Sequence, residues 1–431
     1  MKKTFTRFLK HGFVFNILDL PGTDLFKFEV INKKGAYIEK IVEKSIGKKV
    51  YGISHLVEHL SFKSTLDYTT EEINDILRNN GESNASTTHE SIDYYFKTIS
   101  KKARLAIKVM LNIALNDLTK ISNKEFNTEK SIVSNEVLGY LDDSQSSFYR
   151  SAKTSISNYD DEHNVTGIFE TIQTFEIEDV ICIKSHFLEK KDFEFNITYD
   201  STKDASIDDI LSYIITQSQR FKFKESDDEF NMLYNNNTGE FNKGNFILNS
   251  TSSRRMNFIL FDILEDTYLG DYVLDYLNEK AGLTSIDDVL REQNELVYSA
   301  GIYHTLFKNR GFAVFICDIE VGNEKILMES LIESINKTAD DFNLAKYDKY
   351  MSSIQIDRII DNVNQNSYDD LFAFATWDTD TFSDFEELFM NDIDKAFVIM
   401  DEISLSFENM KELLETIKLA INEKRYAMVT N

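Results

Sequence analysis

The chain has 431 residues, 42% of them hydrophobic and 13% aromatic, which is ample for hydrophobic cores and too long for one compact domain. One proline (Pro21) and 15 glycines exclude a collagen-like or loop-dominated protein. A net charge of −26 argues against nucleic acid as a partner, and no apolar run reaches the ~18 residues needed to span a bilayer.

The first twenty residues, MKKTFTRFLKHGFVFNILDL, start basic, but their apolar run is short and interrupted by His11, Asn16 and Asp19. With no small-residue cleavage site, they do not have the pattern of a secretory leader. Strands are expected at LFKFEVINKKG and GAYIEKIVE. YTTEEINDILRNNG has a helix-starting capping box, Thr69 with Glu72, then Ile73, Ile76 and Leu77 on one face and Gly81 beyond the end. YYFKTI follows as a strand. Leu105, Val109 and Ile113 mark the next helix. A second capping box, Ser122 with Glu125, opens another helix whose apolar side carries Val133, Val137 and Tyr140. FEFNITYD closes the first half as a strand, followed by a helix near 207–217. The Asn-rich segment after it lacks periodicity and is expected to be a linker.

The second half repeats the order: strands at GNFILNSTS and NFILFDIL, helices, strands at LVYSAGIYHTLF and GFAVFICDIEV, then a final helix and the strand RYAMVT. The expected architecture is α+β. It comprises two similar α/β-sandwich domains related by duplication, each a mixed, largely antiparallel sheet with helices packed on it. The expected division is 1–217, a linker at 218–244, and 245–431. Cys182 and Cys317 lack metal-type or paired spacing and are expected to be reduced core thiols, consistent with a cytoplasmic protein.

Seven histidines occur in the chain, and two of them fall in GISHLVEHLSFKST as His55-Leu56-Val57-Glu58-His59. On a helix, residues four apart share a face, so both imidazoles can reach one ion. Two imidazoles suit zinc, and a catalytic zinc needs a third protein ligand and an open position. Glu58, three residues after His55, borders the same face and could serve as general base toward a metal-activated water. The pattern HxxEH is the inverse of HExxH and is the inverted-zincin signature.

GISHLVEHLSFKST closely resembles the active-site helix of the pitrilysin/insulysin metallopeptidases, which include the mitochondrial processing peptidase. The resemblance extends to KKGAYIEKI before it, as a strand leading to the helix, and to NNGESNASTTHESIDYYFKTI after it. It implies a zinc endopeptidase with one Zn2+ per chain held by His55, His59 and Glu136. Glu58 would be the general base on a zinc-bound water, and Glu129, seven residues before Glu136, would orient a histidine. Asn84 and Ala85 would bind substrate by β-augmentation of an exposed strand. In LREQNELVYSAG, Arg291 and Tyr298 match the family's pair that binds the substrate carbonyl or the tetrahedral oxyanion. The glycine-rich loop that the family carries before this arginine is reduced here to EKAGLTSIDDVL.

The resemblance also implies a homodimer of two-domain chains around a closed chamber, acting on peptides or unfolded protein segments, with Arg291 and Tyr298 serving the partner's zinc site. Residues 1–200 hold 26 basic and 30 acidic residues, and residues 201–431 hold 21 and 43. The acidic second half would favour basic peptides. Two alternatives stay open: a precursor- or leader-processing peptidase with a partner subunit, and a non-catalytic structural homologue.

Overall fold

The computed structural model describes residues 2–142, 165–203, 206–225, 244–247, 254–264, 267–307, 310–320, 322–364, 372 and 379–430. They fall into two compact units. The first takes in the described residues of 1–142, 160–238 and 386–396, and the second those of 239–385 and 397–431. The segment 386–396 thus groups with the first unit, although a contiguous split would assign it to the second.

The first unit is built on six strands: β1 Thr4–Lys10, β2 Phe13–Asp19, β3 Leu25–Asn32, β4 Glu82–Thr87, β5 Ile92–Ile99 and β6 Phe193–Tyr199. Their order across the sheet is β1-β2-β6-β3-β5-β4, and every pairing is antiparallel except β2 with β6. The hairpin β1–β2, not singled out from the sequence, turns at His11 (φ 54°) and Gly12 (φ 82°). Two adjacent positive φ values suit a tight two-residue turn. Phe13, Phe15 and Ile17 alternate along β2 and meet Phe26, Phe28 and Phe195 in the core. The face opposite these rings is polar: Arg7 makes a two-pronged contact with Glu194 at 3.1 Å per bond, and Asn16 donates to Asn196 at 2.8 Å.

Helices α1 Ile38–Ile46, α2 Ile53–Ser61, α3 Thr70–Asn80, α4 Ala103–Ala114 and α5 Asn123–Asp142 follow in chain order. Both expected capping boxes form. Glu125 does more than cap α5. Its carboxylate also accepts from the Ser64 hydroxyl at 2.7 Å and from Thr70, tying the starts of α3 and α5 to the loop after α2. One expected strand is wrong: GAYIEKIVE lies mostly in α1. Ile38 and Val42 are four apart and both buried, so the helical period wins over alternation, and Gly47 ends the helix in the left-handed region.

The expected linker begins on the first unit, because the Lys224 amide donates to the Leu188 carbonyl at 2.8 Å and Phe223 packs edge-on against Phe13. Its stretch 226–243 lies outside the described residues. Cys317 is buried as expected, whereas Cys182 faces outward from the helix Ile177–Phe187. On that helix Val180, Ile183 and Phe187 occupy the inward stripe, and position 182 falls outside it.

The second unit's sheet comprises β7 Gly244–Ile247, β8 Arg254–Leu264, β9 Val297–Phe307, β10 Arg310–Glu320 and β11 Tyr426–Thr430. Its order is β7-β11-β8-β10-β9, with β7 and β11 parallel and the other neighbours antiparallel. Setting β1 aside, the first sheet has the same arrangement. In both, five strands taken in chain order stand as first, fifth, second, fourth, third, with the same directions. That repetition is what a duplicated unit leaves, although the side chains have diverged.

Lys184 is fully buried under α2 and α4. It donates to the Ala114 carbonyl at 3.0 Å and to the Ser61 hydroxyl at 3.4 Å. Burial pushes it down to about 7, against the attraction of Asp117. An unfolded lysine titrates near ~10.4, so from about 7 up to that value the unfolded chain binds more protons and stability rises with pH. Lys184→Met removes the buried charge, and the melting temperature of the variant is expected to exceed that of the wild type at pH 6 and to lose its advantage toward pH 9. Parallel melting curves across that range would contradict the buried-charge account.

Candidate metal centre

Helix α2 starts at Gly52, whose φ of 87° is left-handed. A side chain there would strike the Gly167 Cα at 2.6 Å, so glycine is required both by conformation and by contact. Ile53, Leu56, Val57 and Leu60 bury one side of the helix. His55, Glu58 and His59 fall on the other side, as the spacing predicts.

The Nε2 atoms of His55 and His59 lie 3.2 Å apart, and Glu136 Oε2, from α5, is 3.5 Å from each. Among the described residues these three are the one group of His, Cys, Asp or Glu side chains with the spacing of a metal site. Tetrahedral bonds of 2.0–2.1 Å to zinc put donor atoms ~3.3 Å apart. The observed triangle matches that edge length, and two nitrogens and a carboxylate oxygen are donors that zinc accepts. The residues fit the ion.

Glu129, two turns before Glu136 on α5, accepts from His59 Nδ1 at 3.2 Å and pairs with Lys63 Nζ at 2.7 Å. Holding the proton on Nδ1 leaves the Nε2 lone pair free for the triangle. Burial favours the neutral acid at Glu129, but the bonds from His59 and Lys63 outweigh it and hold its carboxyl below the usual range. Burial also acts to lower His59, yet the Glu129 bond and the charges of Glu136 and Glu58 raise it. His55 is pushed down to about 4, first by burial and then by His59, so it is a neutral imidazole near pH 7.

Glu58 is raised, chiefly by burial, while the Thr87 hydroxyl bond and His59 pull the other way. Thr87 Oγ1 donates to Glu58 Oε2 at 2.6 Å. Thr87 belongs to β4, which also carries Asn84 and Ala85 and is the last strand of its sheet. Asn84 is exposed and Ala85 half-buried. Sequence reasoning missed Thr87 and Lys63, neither of which has a local pattern that reveals its partner.

Arg291 and Tyr298 lie in the second unit. Arg291 sits exposed on the π-helical turn Asp288–Gln293, within 3.9 Å of Asp287 and 3.4 Å of Glu292. Tyr298 is 81% exposed on the edge strand β9. There Val297 pairs with Ile319 and Ala300 with Cys317, so β9 carries one extra residue, a bulge that turns Tyr298 outward. The second unit's helix Thr267–Asp275 lies between β8 and β9, as α2 lies between β3 and β4. Aligning YLGDYVLDYLNEK with YGISHLVEHLSFK places Tyr272, Asp275 and Tyr276 at the positions of His55, Glu58 and His59. This copy has no imidazole at those positions.

Helix α2 thus turns both histidines of the HxxEH segment toward Glu136 of the later helix α5. Residues 47–152 match the model of the insulinase family, peptidase family M16. A Rickettsia felis protein described as an uncharacterised zinc protease is 23% identical over 345 residues, 78% of each chain. The zinc protease PqqE of Helicobacter pylori is 27% identical over 193 residues, 42% of this chain and 40% of that one. Among solved structures, a protease from Helicobacter pylori superposes with a TM-score of 0.73 at 17% identity, covering 99% of both chains. A peptidase M16 inactive domain from Pseudomonas fluorescens gives 0.68 at 10% identity, covering 99% of this chain and 97% of that one. The chain is thus similar to the insulinase family of peptidases, M16, over residues 47–152, and along its length it shares the fold of these solved structures.

Proposed function

We propose that this chain is a zinc endopeptidase acting on peptides or unfolded protein segments. The observation that carries the reading is the donor triangle of His55, His59 and Glu136, with Glu58 on the same helix beside an edge strand. His55, His59 and Glu136 would hold the ion. When bound, zinc supplies Lewis acidity, making water a nucleophile at neutral pH and polarising a carbonyl. Glu58 takes a proton from the attacking water and delivers it to the leaving amine, so that the C–N bond breaks as the C–O bond is retained. Glu129 keeps His59 in the tautomer whose Nε2 can coordinate. A peptide strand added to the open edge of β4 at Asn84 and Ala85 places the scissile bond beside Glu58.

Arg291 and Tyr298 are the donors proposed for the developing oxyanion, supplied by a second copy of the chain. A strictly monomeric active enzyme would contradict that part. The acidic second half would favour basic peptides, and equal cleavage of basic and acidic peptides at low salt would remove that preference. An inactive homologue is a reading suited to a chain that has lost its donors, and this chain retains all three.

The test is cleavage of a mixed set of internally quenched peptides by purified protein, with and without chelator, beside a measurement of bound zinc. Chelator-sensitive cutting is expected. Zinc-loaded protein that cuts none of the set would shift the reading to processing of one dedicated precursor, and protein that neither binds zinc nor cuts would overturn it.

A further inference from the structure

Helix α2 has no cap of its own. Its N-cap residue is Gly52, which has no side chain, and its first turn contains no acidic residue. The amides at its start are nevertheless bonded. Glu39, in α1, accepts from the Gly52 N–H through Oε2 at 3.0 Å and from the Ser54 N–H through Oε1 at 2.9 Å. Its side chain is 0% exposed, and burial raises it to about 8. Each carboxyl oxygen keeps a lone pair in either protonation state, so both bonds survive the titration.

A buried acid drawn from another helix onto the first amides of the metal-bearing helix costs desolvation, and ordinary capping needs no such arrangement. Its geometric effect is specific. Two oxygens on two amides fix both the start of α2 and its rotation about its axis, and the backbone approach of Gly52 to Gly167 fixes its depth. The tips of helix side chains stand ~5–6 Å from the axis, so a 10° rotation moves an imidazole nitrogen by about 1 Å. That displacement is several times the ~0.2 Å within which zinc–nitrogen distances hold.

We infer that Glu39 is a positioning residue for the metal centre: by holding the Gly52 and Ser54 amides it sets the rotation of α2 and so the 3.5 Å approach of the His55 and His59 nitrogens to Glu136 on α5. The inference rests on the zinc reading above. Sequence reasoning placed this glutamate in a strand and gave it no role.

The experiment compares full-length wild type with Glu39→Gln and Glu39→Asp. Gln is isosteric but can offer an acceptor to only one of the two amides, and Asp is one methylene short. Zinc affinity is read by competition against a chromogenic chelator, with far-UV circular dichroism and melting of the metal-free proteins alongside. Folded variants with zinc bound about 10–100-fold more weakly, and kcat reduced with KM unchanged, are expected, the range typical for loss of an outer partner of a metal site. A lower melting temperature with unchanged zinc affinity would reduce Glu39 to a purely structural residue and overturn the inference. If wild type itself binds no zinc, the metal reading fails separately. Amide hydrogen exchange then decides whether Glu39 anchors α2, by faster exchange of the Ser54 N–H in Glu39→Gln, and unchanged exchange would overturn it.

Discussion

Glu58→Gln is expected to lower kcat for peptide cleavage at least ~10³-fold while bound zinc stays at the wild-type level. The two halves of that result have separate causes. Glu58 is not one of the three converging donors, so the triangle of His55, His59 and Glu136 survives its replacement. The amide has the same shape as the carboxyl group, and its oxygen can still accept the Thr87 hydroxyl that now reaches Glu58 at 2.6 Å. What it lacks is basicity: a carboxamide cannot take a proton from water near neutral pH. The measurement is kcat, KM and zinc stoichiometry on the same preparations. Retention of more than a tenth of the wild-type rate would show that another group is the base. Loss of zinc along with activity would show that Glu58 supports the ion rather than the proton transfer.

The second large effect separates the two glutamates of α5. Glu136→Ala deletes one of three donors and is expected to abolish stable zinc binding at micromolar protein, together with all cleavage. Glu129→Gln leaves the donors in place and keeps an acceptor for His59 Nδ1, now 3.2 Å from Glu129, but loses the charge and the Lys63 pair. Its cost should be about 10–100-fold in zinc affinity, with a parallel fall in activity. Competition titrations on both variants decide the matter. The reverse ranking would make Glu129 the ligand and Glu136 its support.

How this site could be read in advance depends on the range over which each residue acts. His55, Glu58 and His59 were legible because their relation is local: four residues of helix bring two imidazoles to one side whatever the rest of the chain does. The capping boxes at Thr69 and Ser122 were legible for the same reason, since donor and acceptor are three residues apart. Glu129 and Glu136 were two turns apart on one helix by spacing alone, but only with the family resemblance could either be assigned to the metal. The segment GAYIEKIVE was misread because a short apolar run satisfies strand and helix templates about equally. The burial of Ile38 and Val42, four apart, in the common core goes with the helical period of α1. Cys182 was misplaced by the same kind of limit, since a lone cysteine carries no sign of which face it occupies.

The sequence alone therefore determined the chemistry available: two imidazoles and an acid on one helix, two further acids on a later one, and a repeated α+β order in each half. The tertiary structure decided which of these groups meet. It placed Glu136 3.5 Å from both imidazoles, put Glu129 behind His59, brought Thr87 from the edge strand onto Glu58, and set Glu39 on the first amides of α2. The physical reason is that periodicity and capping are written within a turn or two of chain. A contact between residues 29 or 70 apart exists only after the packing of intervening elements has fixed the path between them.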